Sequence, residues 1–154
     1  MPSMEVIRRF LEQEHIAFVG VSRNPKDFAN SVYRELRQRG HTLYPVNPAA
    51  TTELLEGDPC YHRLADIPDP IDGVIVMVPP DQAATVVRDA IERGIPRVWL
   101  HRGVGHGSVT DEAVALCRDH GVEVVDGACP LMFAGPVGAA HRIHRFFVKR
   151  RIAA

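Results

Sequence analysis

Seven consecutive residues, Gly20-Val21-Ser22-Arg23-Asn24-Pro25-Lys26, have the types and the placement to hold an anion. The apolar run Ile16, Ala17, Phe18, Val19 leads into them as a buried strand. Phe28, Val32, Tyr33 and Leu36 lead out at helical spacing as far as Gly40. A strand, a tight glycine turn and a helix N-terminus together present unpaired backbone N–H groups and a positive dipole end to a phosphate. Arg23 and Lys26 add charge of the matching sign. The same seven residues also fit an ordinary strand-to-helix turn, so the rest of the chain has to decide between the two readings.

The elements that would position this loop repeat along the chain. Thr42 to Val46 reads as a second strand entering Asn47-Pro48, residues 49–58 read as loop, and Tyr61 as part of a short edge strand. A helical turn over Leu64 to Ile67 comes next. Gly73 to Val78 is an uninterrupted apolar strand that stops at Pro79-Pro80, with Asp81 placed to cap the helix that follows. In that helix Ala83, Val86, Val87, Ala90 and Ile91 form one stripe ending at Gly94. Arg97 to Leu100 is the next strand. Ser108 and Asp111 form a Ser-x-x-Asp signature for a helix through His120, stopped by Gly121, and Val122, Val124 and Val125 form the last strand.

Strand-helix-strand units joined by short connections predict an α/β fold: a doubly wound parallel sheet, Rossmann-like, in a single domain of residues 1–137 that includes an N-terminal amphipathic helix. Ligands of such sheets bind beyond the carboxyl ends of the strands. The segments gathered there are Gly20 to Lys26, Asn47-Pro48, Val78 to Asp81, His101 to Ser108 and Asp126 to Pro130. Turns at strand ends use Gly and Pro in any case, which accounts for part of that clustering.

A nicotinamide fingerprint requires Gly-x-Gly-x-x-Gly and an acid at the end of the second strand; here Ser22 replaces the second glycine and Val46-Asn47-Pro48 carries no carboxylate. An acid-free second strand suits a phosphorylated ribose. A Walker-type Gly-x-x-x-x-Gly-Lys-Ser/Thr run is also absent, which leaves a CoA-like or NADP-like adenine diphosphate.

In this order, Val19-Gly20-Val21-Ser22-Arg23-Asn24-Pro25, Tyr44-Pro45-Val46-Asn47-Pro48, Leu64-Ala65-Asp66-Ile67-Pro68, Val78-Pro79-Pro80 and Cys129-Pro130 resemble the single-domain CoA-binding proteins. These are similar to the N-terminal CoA-binding domain of the succinyl-CoA synthetase alpha subunit. The resemblance spans about residues 10–133 and implies CoA or an acyl-CoA as ligand. It implies that Gly20, Ser22, Arg23 and Lys26 hold its phosphates, with Val21 and Asn24 in the same loop. Asn47, Pro48, Val78, Pro79 and Pro80 would line the adenosine and pantetheine path. Cys129, beside Pro130 after the last strand, is expected at the pocket edge, where amides or cations would favour a thiolate able to form a mixed disulfide with the CoA thiol; packing as a small apolar residue is the competing reading.

The ligases need a phosphorylated histidine in a further domain, and His141 and His144 stand in a basic tail instead. The expectation is therefore a binding module with no complete catalytic machinery and no assigned catalytic residue. An NADP-type oxidoreductase or CoA-dependent transferase, with His101 or His106 as general acid or base, is the alternative. The histidines lack the spacing of a zinc motif, so no metal is expected. Cys60, Cys117 and Cys129 are odd in number and scattered, which predicts reduced thiols, and Met1 to Gln13 reads as a charged amphipathic helix rather than a signal sequence, which predicts a cytoplasmic protein.

The net charge of −1 hides an asymmetry: residues 138–154 carry five of the 18 basic side chains and no acid, leaving 13 against 19 acids in the rest. A short basic tail on an acidic body argues against nucleic acid as a partner. Ile143, Phe146 and Phe147 make the tail an amphipathic helix expected to dock on its own domain, on a second copy in a homo-oligomer, or on a larger enzyme; a membrane surface remains an alternative. No apolar stretch reaches the roughly 20 residues of a membrane span.

Overall fold

The strands alternate inward-facing residues on both sides, so each must be covered twice. The computed structural model, which describes residues 2–50, 54–102 and 107–133, shows how. A first helix, α1 (Met4–Leu11), is capped by the Ser3 side chain and precedes β1 (His15–Val19). Then come α2 (Phe28–Gln38), β2 (Thr42–Val46), the two-residue strands β3 (Leu54–Leu55) and β4 (Asp58–Pro59), a 3-10 turn over Leu64–Asp66, β5 (Gly73–Val76), α3 (Pro80–Arg93), β6 (Arg97–Leu100), α4 (Asp111–Asp119), β7 (Glu123–Asp126) and a 3-10 turn over Pro130–Met132.

The five long strands form one parallel sheet in the order β2-β1-β5-β6-β7. The chain winds outward from β1 to β2, then crosses back to continue from β5. The reversal point thus lies between β1 and β5, where a doubly wound sheet leaves a crevice. Ile16, Phe18, Ile75, Trp99 and Val125 face α1 and α2, and Ala17, Val19, Val74, Val76, Val98 and Leu100 belong to the core under α3 and α4. The period of two sends neighbouring residues to opposite faces. On the first face Phe10 of α1 meets Trp99 edge-on at 5.3 Å between ring centroids. Trp99 is fully buried and its indole N–H donates to the Ala128 carbonyl at 3.1 Å. Burying aromatic and aliphatic side chains of this size stabilises by about 1.5–3 kcal/mol apiece.

Four local expectations are corrected. Phe28 opens α2 but is 57% exposed, and the buried position near the helix start belongs to Asn30. Residues 49–58 are not all loop, because β3 and β4 pair antiparallel, and Tyr33 of α2 donates to the Asp58 carboxylate at 2.5 Å to hold them. Asp81 does not cap α3: Pro79 occupies the cap with no side-chain bond, and Asp81 follows in the first turn. Ser108 does not cap α4; Thr110 does, accepting from the Ala113 N–H at 3.1 Å. Tyr61 makes a parallel bridge to Val46, as the edge-strand reading requires.

The expectations for residues 138–154 and for His106 lie outside the described residues. Among the described residues no helix is long and apolar enough to cross a membrane, and no group of three or more His, Cys, Asp or Glu side chains is placed to hold a metal ion.

Candidate functional site

At the reversal point a cavity of about 650 Å³ opens beyond the strand ends. Gly20, Val21 and Ser22 form one wall, Asn47 and Pro48 a second, and Met77, Val78 and Pro79 a third. Asp81, Gln82, Thr85, Val86 and Asp89 of α3 face it, and His62, Arg63 and Leu64 close the remaining side.

Gly20 is required where the first and third walls meet. Its φ is +122°, and a Cβ there would lie 2.1 Å from the Met77 carbonyl oxygen. The loop after β1 therefore packs directly on the backbone after β5, and only glycine allows it.

The loop beyond Gly20 is shaped by its own polar side chains. The Ser22 N–H donates to Asn30 Oδ1 at 2.8 Å and the Asn30 amide donates back to the Ser22 carbonyl at 2.8 Å. This exchange explains why an asparagine is buried at the start of α2: it satisfies both backbone groups of the turn. The Asn24 N–H donates to Ser22 Oγ at 3.0 Å and the Lys26 N–H to Asn24 Oδ1 at 3.1 Å. Ser22, Asn24 and Lys26 have thus committed their amides within the loop. The N–H groups of Val21 and Arg23 make no such bond among the described residues. The start of α3 offers less, because Pro79 and Pro80 have no N–H at all. Backbone donors for an anion are concentrated at the β1 loop.

Asn47 is engaged mainly with the protein. Its side-chain amide donates to the Val21 carbonyl at 2.9 Å, and its Oδ1 accepts from the Ala49 N–H at 2.8 Å. It thereby ties the end of β2 to the β1 loop while facing the cavity. Val78 is held by Ser108, whose hydroxyl bonds both its N–H and its carbonyl.

Of the residues expected from the sequence, the structure brings Gly20, Val21, Ser22, Asn47, Pro48, Val78 and Pro79 into the lining of one cavity. Arg23, Asn24 and Lys26 are exposed on the outer part of the loop, and their side chains are not in that wall. Pro80 begins α3 just outside it. Cys129 is buried in the core on the α1 and α2 side of the sheet, whereas the cavity adjoins the α3 side. His101 is also buried; burial lowers its pKa, and its Nε2 has no hydrogen-bond partner among the described residues. The sequence reading missed His62, Arg63, Gln82, Thr85 and Asp89. The last three share a helix face with Asp81 at i, i+1, i+4 and i+8, a polar stripe beside the apolar one that a helical projection would have revealed.

Comparison with known families decides the assignment. The model of a family described as a CoA binding domain matches residues 14–134. The chain belongs to this CoA-binding domain family. Relatives agree in extent. The uncharacterized protein YneT of Bacillus subtilis is 29% identical over 129 residues, covering 83% of this chain and 91% of its own length. The alpha subunit of the ADP-forming acetate–CoA ligase II of Pyrococcus furiosus is 25% identical over 128 residues, covering 78% of this chain but only 27% of the subunit. Among solved structures, a hypothetical protein from Pyrococcus horikoshii OT3 superposes with a TM-score of 0.78 at 31% identity, covering 87% of this chain and 94% of the other. Similar chains thus occur at about this length and as a minor part of a larger ligase subunit.

Proposed function

We propose that this chain binds CoA or an acyl-CoA as a stand-alone module, without complete catalytic machinery of its own. The observation that carries this reading is the cavity at the β1–β5 reversal point, bordered by the β1 loop in which the N–H groups of Val21 and Arg23 are uncommitted among the described residues. In a chain of the CoA-binding family that combination suits the diphosphate of CoA, which accepts hydrogen bonds and favours oriented backbone dipoles. The mixed wall suits the rest of the molecule. Val78, Pro79 and Val86 give apolar contact, while Asn47, Gln82 and Thr85 offer polar groups for the amide-bearing pantetheine arm. Arg23 and Lys26, exposed at the entrance, contribute long-range attraction for the anion.

When bound, CoA would supply a thiol able to carry an acyl group as a thioester; the protein's part is to bind and orient it. Titration calorimetry with CoA, NAD and NADP tests the reading. CoA is expected to bind far more tightly than NAD, because the second strand lacks the ribose-binding acid, and more tightly than NADP, because the first loop lacks the second and third glycines of the dinucleotide turn. Equal or tighter binding of NAD or NADP overturns it. Native mass spectrometry of freshly purified protein is expected to show a co-purifying adduct of CoA mass.

A further inference from the structure

Arg63 is a rigidly mounted cation whose charge is only loosely committed. On one side the chain is pinned to β2: the Tyr61 N–H donates to the Pro45 carbonyl at 2.9 Å, and the Asn47 N–H to the Tyr61 carbonyl at 3.0 Å. On the other side Arg93 of α3 donates to the carbonyls of Leu64 at 2.8 Å and Asp69 at 2.9 Å, and the Leu64 side chain is buried. The backbone that carries Arg63 is therefore fixed between strand and helix. Its guanidinium is not. Its ion-pair partner is Asp89 at 3.7 Å, and the Arg63 side chain is 58% exposed. An exposed pair at that distance is weak and readily exchanged for a better anion.

The placement of this cation is informative. Among the described residues that line the cavity, Arg63 is the one lysine or arginine, set against the carboxylates of Asp81 and Asp89. It lies beside the end of β2, where doubly wound sheets receive the ribose of a bound nucleotide. In this chain that end carries Asn47 and no acid, so the carboxylate that would repel a phosphorylated ribose at the strand end is missing. The diphosphate has backbone donors at Val21 and Arg23, but a further phosphate needs a side chain, and a guanidinium matches phosphate with two parallel hydrogen bonds.

We propose that Arg63 recognises the phosphate on the adenosine ribose of CoA, and that Asp89 holds the guanidinium when the site is empty. This rests on the CoA reading above. It makes Arg63 the residue that distinguishes CoA from dephospho-CoA, which has a hydroxyl in place of that phosphate.

The test is titration calorimetry of CoA and dephospho-CoA against the full chain and its Arg63→Gln and Asp89→Asn variants. The unsubstituted protein is expected to prefer CoA by roughly tenfold or more, the scale of one charge-assisted phosphate contact. Arg63→Gln is expected to abolish that preference while leaving dephospho-CoA affinity within about twofold, which also reports that the site is still folded. Asp89→Asn is expected to tighten CoA binding by removing the competitor. A preference that survives Arg63→Gln, or an equal loss of both ligands, overturns the assignment. Unchanged CoA affinity in Asp89→Asn overturns the part given to Asp89. If the unsubstituted protein binds both ligands equally, the assignment fails while the CoA reading stands; if it binds neither, both fall.

Discussion

The hydroxyl of Ser108 accepts a hydrogen bond from the N–H of Val78 at 2.9 Å and donates one to the carbonyl of the same residue at 2.7 Å. One buried side chain from the segment after β6 thus imitates a neighbouring strand and fixes the backbone after β5. Gly107 lets the chain turn for this purpose: its φ is +57°, and a Cβ there would stand 2.3 Å from the His101 carbonyl, which accepts from the Ser108 N–H at 2.9 Å.

Ser108→Ala leaves both polar groups of Val78 without that partner. Each orphaned group costs about 1–3 kcal/mol, so urea unfolding is expected to show a loss of about 2 kcal/mol or more. CoA affinity is expected to fall as well, because Val78 loses its position in the wall. A variant with unchanged stability and affinity would contradict this role.

Gly20→Ala places a methyl group on the Met77 carbonyl and forces alanine to a φ of +122°. Both effects act on the junction of two strand ends, and a loss of at least about 3 kcal/mol in chemical denaturation is expected, with CoA binding abolished. Val21→Ala, one residue on, leaves the backbone N–H in place. It is expected to lower stability by about 1–3 kcal/mol through lost core packing, with CoA affinity changing by less than about threefold.

Arg23→Ala and Lys26→Ala separate side-chain from backbone contributions in the β1 loop. Both side chains are exposed and outside the cavity wall, so each substitution is expected to weaken CoA binding by less than about threefold at moderate salt. Arg63→Gln is expected to weaken it more. The small effects of Arg23 and Lys26 are expected to grow at low ionic strength, which calorimetry across a salt series would read directly.

His101 sets an acid limit on stability. Its folded-state pKa is lowered by desolvation, so between its ordinary value near 6.5 and the lower folded value the unfolded chain binds more protons than the native one. Its contribution to stability is therefore fully present above about pH 6.5 and declines as the pH falls towards the folded value. Urea midpoints from pH 7.5 down to 5 are expected to drop, and His101→Gln is expected to flatten that dependence. An equally steep decline in His101→Gln would assign the acid sensitivity to other groups.

The sheet, the order of its elements and the glycine turn at Gly20 were legible in the chain because they rest on local rules. Buried parallel strands are continuous apolar runs, helices show a repeat near 3.6, and turns display Gly and Pro. By themselves those rules also marked eight of the residues that line the cavity, since parallel topology gathers every strand's carboxyl end on one edge. What tertiary structure alone decided is which partner each ambiguous polar residue takes. Ser108 and Thr110 both suit a helix cap, and Val78, thirty residues earlier in the chain, claims Ser108. Asn30 is buried because its amide serves the turn at Ser22, whereas Phe28, placed on the apolar side of the helix by spacing alone, is exposed. Arg63 has no local signature. It enters the wall because Tyr61 is zipped to β2 and Leu64 is clamped by Arg93, two contacts between segments distant in sequence. Hydrophobic periodicity records burial within an element, whereas hydrogen-bond partners across elements depend on strand order, and the order β2-β1-β5-β6-β7 exists only once the chain is packed.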